Sequence, residues 1–99
     1  MASRDPLIVA GENIVDLLRN GKYSISNLRL LIENLEEDAG KRSSARVETH
    51  RPDEWQKIIH VLWRVKSALE DQESKGSTPD PRLAASLSDA LKGAEARRE

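Results

Sequence analysis

The sequence predicts an all-α fold, a small bundle of three or four helices, and three observations predict it. Apolar residues recur at three- and four-residue spacing through most of the chain. Asp5-Pro6, Pro52 and Asp80-Pro81 each place a proline where a helix would begin. Strand signals are scarce, since Tyr23, Trp55 and Trp63 are the only aromatics and β-branched residues never alternate over a long stretch.

The elements follow in order. Asp5 caps a first helix over about residues 6–20, and Gly21 stands where a left-handed stop belongs. Ser24 or Ser26 caps a second over about 25–39, whose stripe is Ile25, Leu28, Leu31, Ile32 and Leu35 and whose end is set at Gly40. Gly40 to Arg46 reads as a polar, basic loop. Pro52 then opens a third, long helix over about 52–72, with Asp53 and Glu54 at the positive end of its dipole. Trp55, Ile58, Ile59, Leu62, Val65 and Leu69 make its buried face, and its end is expected to fray through Asp71 to Ser74. These elements form a helical domain over residues 1–75. Residues 76–99 add a short linker, a fourth helix over about 81–92 carrying Leu83, Leu87 and Leu91 and ending at Gly93, and a frayed tail.

Composition narrows the function classes. A chain of 99 residues with 37% hydrophobic and 33% charged residues has a modest core of its own, so a homodimer that buries more is expected. The net charge of −1 gives no overall attraction to nucleic acid, which leaves the local distribution of 16 Lys and Arg to decide. Without cysteine there is neither a disulfide framework nor a thiolate metal site. The longest apolar runs, such as Leu7-Ile8-Val9-Ala10, are far short of the roughly 20 residues of a membrane span, so no membrane role is expected and a cytoplasmic location is.

Catalysis finds no support in the residues. There is no glycine-rich phosphate loop followed by lysine, no histidine pair at metal spacing and no convincing Ser-His-Asp set, so no enzyme activity, cofactor or metal is expected. His50 and His60 stand ten apart across a helix start, and Glu36-Glu37-Asp38 lacks the ligand spacing of a calcium loop.

The third helix is the most informative segment. At 100° per residue, Lys57, His60, Val61 and Arg64 form a row about 140° from the apolar stripe, with Lys57 and Arg64 two turns apart. Two cations about 10 Å apart on a straight helix suit phosphates along a nucleic-acid backbone, with His60 as a hydrogen-bond donor between them. Arg46 and Arg51 extend the row if the preceding loop folds beside it. An amphipathic helix with an ordinary charged outer face explains the same spacing. Trp55 is expected in the core, and Trp63, placed at the edge of the stripe, in the core or a dimer contact.

Gln56-Lys57, Arg64 seven residues on, Ser67-Ala68-Leu69-Glu70 and then Pro81-Arg82-Leu83-Ala84-Ala85-Ser86-Leu87 follow one another in a suggestive order, with Arg46 eleven residues before Lys57. Over Arg46 to Gly93 this order resembles the small RNA-silencing suppressors of insect nodaviruses. The resemblance implies an antiparallel homodimer forming a four-helix bundle that lies along duplex RNA and reads its A-form backbone and 2′-hydroxyls. It further implies a viral protein of the host cytoplasm that shields RNA from Dicer and the silencing complex. Arg46, Lys57 and Arg64 would then contact phosphate, with Arg51 beside them and Gln56 and His60 bonding sugar or phosphate. The alternative is a helical protein-interaction module that offers a groove or a helix face to a protein partner.

Overall fold

In the computed structural model, which describes residues 5–44 and 52–95, the chain runs through α1 (Pro6–Asn20), α2 (Ile25–Ser44), α3 (Pro52–Lys75) and α4 (Pro81–Glu95). There is no strand among the described residues. Each helix packs on two others in a ring, α1 on α2, α2 on α3, α3 on α4 and α4 back on α1. Cross-ties show that neighbours run antiparallel. Arg29 meets Glu73 and Lys66 meets Glu36 between α2 and α3, while Gly11 of α1 lies against Leu91 of α4.

Helix starts obey the local rules. Asp5 Oδ1 accepts from the Leu7 N–H at 3.0 Å with Pro6 at the first helical position, and Asp80 Oδ1 accepts from the Arg82 N–H at 2.8 Å ahead of Pro81. For α2 the cap is Ser24, whose hydroxyl oxygen accepts from Asn27 N–H at 3.5 Å and whose carbonyl accepts from Leu28 N–H at 2.9 Å. Gly21 and Gly76 adopt positive φ, and their N–H groups donate back to Leu17 O and Gln72 O.

Three helix ends differ from the sequence expectation. Helix α2 passes through Gly40 to Ser44, because Gly40 keeps right-handed geometry, Ala39 before it is buried, and Arg42 beyond it is docked. The Arg42 guanidinium pairs with the Asp5 carboxylate and lies 5.0 Å above the Trp55 ring, tying the end of α2 to the starts of α1 and α3. Helix α3 continues past residue 72 to Lys75, held where Tyr23 OH donates to Gln72 Oε1 at 2.8 Å and Arg29 donates to Glu73 at 3.3 Å. Helix α4 runs through Gly93 to Glu95, and Gly93 serves there as a close approach: a Cβ would lie 2.6 Å from Glu54 Oε1.

All four helices supply one core. Ile8, Ile14 and Val15 meet Leu28, Ile32 and Leu35, then Trp55, Ile58, Leu62, Val65 and Leu69, then Ala84, Leu87 and Leu91. Each large aliphatic side chain removed from water in this way contributes about 1.5–3 kcal/mol. No polar or charged residue is buried among the described ones. The radius of gyration, 13.5 Å, is close to the roughly 13 Å of a compact chain of this length. The four helices close a ring within one chain, and α4 contributes Ala84, Leu87 and Leu91 to its core.

Candidate functional site

Among the described residues the core is entirely apolar, so the chemistry they offer lies on the surface. Packing on α2 and α4 fixes how α3 is turned. Trp55, Ile58, Leu62, Val65 and Leu69 are buried toward the core, and Ile59 is half-buried at the margin. Gln56, Lys57, His60 and Arg64 are exposed, whereas Val61, the remaining member of the row read from the sequence, is half-buried against the core. Arg46 and Arg51, the proposed extension of that row, lie outside the described residues, as does His50.

Electrostatics on this face differ from those of a phosphate track. The Lys57 Nζ lies 3.4 Å from Glu54 Oε2, one turn back. Lys66 is drawn across to Glu36 of α2 at 2.7 Å, and Lys75 pairs with Asp71 at 3.9 Å. Arg64 makes no ion pair among the described residues. As a whole α3 carries four cations, Lys57, Arg64, Lys66 and Lys75, against five carboxylates, Asp53, Glu54, Glu70, Asp71 and Glu73. Their order matters as much as their number: Lys57, His60 and Arg64 stand on the first half, Glu70, Asp71 and Glu73 on the second.

Trp63 narrows the sequence reading, which offered the core or a dimer contact. It is 53% exposed and belongs to no part of the core. One step along a helix turns 100°, which carries Trp63 away from buried Leu62 to a position about 130° from the middle of the stripe. Toward α2 that margin is already filled by Ile59 and by the Lys66–Glu36 pair. Trp63 instead stands outward with its ring 5.5 Å from that of His60, tilted by 42°. Just beyond it is an open recess of about 500 Å³, lined by His60, Trp63, Arg64, Ser67, Ala68 and Asp71. Sequence reasoning missed Asp71 as part of this face. The signal was present, since positions 60, 64, 67 and 71 follow the helical repeat on the side opposite the stripe.

A second concavity of about 520 Å³ lies at the far end of the bundle, with Leu18, Tyr23, Pro79, Pro81 and Ala84 as its apolar wall and Arg19 and Gln72 among its polar members. Its Asp80 is committed to capping α4. Side-chain and backbone hydrogen bonds from Arg82 hold that carboxyl below its ordinary value, and the pairing raises the Arg82 guanidinium in turn. This displaced titration belongs to a helix cap and not to a reacting group.

Among the described residues no three His, Asp or Glu side chains are grouped to hold a metal ion. No described helix is long and apolar enough to cross a membrane. No family model, curated protein or solved structure matches the chain. Function is therefore reasoned from the surface itself, and the α3 face is its most differentiated part.

Proposed function

We propose that this chain is a non-enzymatic binding module whose working surface is the outward face of α3, and that its partner is a protein. The observation that carries the proposal is Trp63, a large aromatic more than half exposed on a rigid helix, with the tilted His60 ring beside it and Arg64, which has no ion pair among the described residues, next to it. Trp and Arg are the side chains that most often anchor protein interfaces, because each buries much area at small entropic cost and still offers a polar group. The fold does not use Trp63, so its burial remains available to a partner.

Duplex RNA is the competing occupant, favoured by Lys57 and Arg64 emerging on the same side of α3. The Glu54 carboxylate beside Lys57 and the acidic second half of the helix weigh against it, since phosphate binding rests on uncompensated cations. A photoreactive amino acid at Ser67, within the recess, separates the two readings in extract of the source cell. Protein adducts that form from Ser67 and not from exposed Asn20 support the proposal. RNA adducts, or identical yields at both positions, overturn it. In parallel, a random-sequence duplex titrated over several salt concentrations shows no binding if the proposal is right. Steeply salt-dependent binding that Arg64→Ala weakens for every sequence would establish the RNA reading instead.

A further inference from the structure

We infer that the α3 face docks onto a second copy of itself, antiparallel and related by a two-fold axis close to residues 65 and 66. This names the partner of the surface proposed above and rests on that reading.

Two properties of the face make it self-complementary. The first is charge order. On the outward face Arg64 precedes Asp71 by two turns, so a parallel neighbour would set like against like, whereas an antiparallel one brings each Arg64 near the other copy's Asp71. The macrodipoles of the two helices oppose as well. A two-fold contact requires such a surface, because whatever one copy presents the other must accept.

The second property is shape. Trp63 projects, and the recess begins one turn beyond it, floored by the small residues Ser67 and Ala68. In an antiparallel pair with its axis at residues 65 and 66, Trp63 of each copy stands opposite Ala68 of the other, so each ring enters the other's recess. The same register sets Asp71 opposite His60 of the second copy, with Arg64 one turn away and within the reach of its long side chain. On its own chain Asp71 has only the loose contact with Lys75 at 3.9 Å, and Arg64 has no ion pair among the described residues, so both are available. One register thus fills two recesses and sets Asp71 of each copy against His60 and Arg64 of the other. A single helix pair covers less area than a permanent dimer interface, which places the association in the weak, concentration-dependent class.

Sedimentation equilibrium on the full chain, from low micromolar to about millimolar concentration, tests this. The expected result is a reversible monomer–dimer equilibrium. Trp63→Ala should weaken it by about thirtyfold or more, the loss typical of an interface anchor, with helix content unchanged because the residue is outside the core. Charge swaps give a result that general stickiness does not. Arg64→Asp and Asp71→Arg should each be monomeric alone, since each gives positions 64 and 71 the same sign, and equimolar mixing of the two should restore a dimer containing one of each. A wild-type chain that stays monomeric at the highest concentration overturns the inference, as does a dimer indifferent to Trp63→Ala or a mixture that fails to recombine. If the chain is monomeric yet the Ser67 probe still joins to other proteins, the self-docking inference fails while the protein-binding reading stands. If neither occurs, both fail.

Discussion

Replacing glycine with alanine at three helical positions should move stability in three different ways, and the reason in each case is what the new methyl group meets. In isolation the change favours a helix by about 1 kcal/mol. At Gly40 nothing lies within 4 Å and φ is not positive, so the full gain is expected, raising the melting temperature by about 4–8 °C for a domain of this size. At Gly11 the methyl carbon would stand 2.5 Å from Leu91 Cδ2, 2.7 Å from Cδ1 and 3.1 Å from Cγ. Leu91 is 2% exposed within the core, so an overpacking cost of about 1–3 kcal/mol outweighs the gain in all but the mildest case. The net loss is about 1 kcal/mol. At Gly93 the obstacle is the carboxylate tip of Glu54, whose side chain is a quarter exposed and can swing into water, leaving the change near neutral. Thermal unfolding followed by far-UV circular dichroism ranks the three. Equal stabilisation at Gly11 and Gly40 would refute the close α1–α4 packing on which the ring architecture depends.

Other outcomes follow from the same contacts. Arg42→Ala should cost about 1–2 kcal/mol in urea unfolding, because it removes both the Asp5 pair and the stacking on Trp55 where three helix ends meet. A loss no larger than that of a scattered surface substitution would show that these ends are not tied. For Asp80, a folded-state value below the ordinary 3.8 means that its stabilising contribution is present above the unfolded value and is lost as the pH falls through the folded one. Asp80→Asn should therefore flatten the acid limb of a melting-temperature profile below about pH 4, and about 1 M salt should shrink the difference because the pair is fully exposed. A limb as steep as that of the unaltered chain would assign the acid sensitivity to other carboxylates.

Helix starts were legible because they are decided within a few residues. Asp5 and Asp80 can satisfy the second helical N–H whatever the rest of the chain does, and each is followed by a proline already set to helical φ. The ends at Gly40 and Gly93 were not legible, since glycine stops a helix only when it turns left-handed, as Gly21 and Gly76 do. Distant contacts keep the other two helical. Arg42 is held by residues 37 positions earlier and 13 later in the chain, and Gly93 admits a side chain from Glu54. Composition was silent on a related point: it measures how much apolar material exists, not how four short helices arrange it. Ala84, Leu87 and Leu91 of α4 join the same core as α1 and α3.

The α3 face was legible in angle, and less so in which large and charged side chains complete it. Lys57, His60 and Arg64 do lie outward, as a repeat of 3.6 residues requires. Size misled for Trp63, because large aromatics are so often buried, and position misled for Asp71, which belongs to a helix end that Tyr23 and Arg29 hold in place. Neighbouring side chains on this helix allow fold and binding to be separated. Leu62 is fully buried and Leu62→Ala should cost about 2–5 kcal/mol, whereas Trp63→Ala should change folding stability by no more than about 0.5 kcal/mol despite deleting more atoms. Chemical unfolding of the two variants decides the matter. If Trp63→Ala unfolds as readily as Leu62→Ala, the ring is part of the core, no aromatic surface remains to bind anything, and both the module and its self-docking are wrong together. If only Leu62→Ala is damaged, the most costly side chain to leave in water is one the fold does not need, and its use must lie in association.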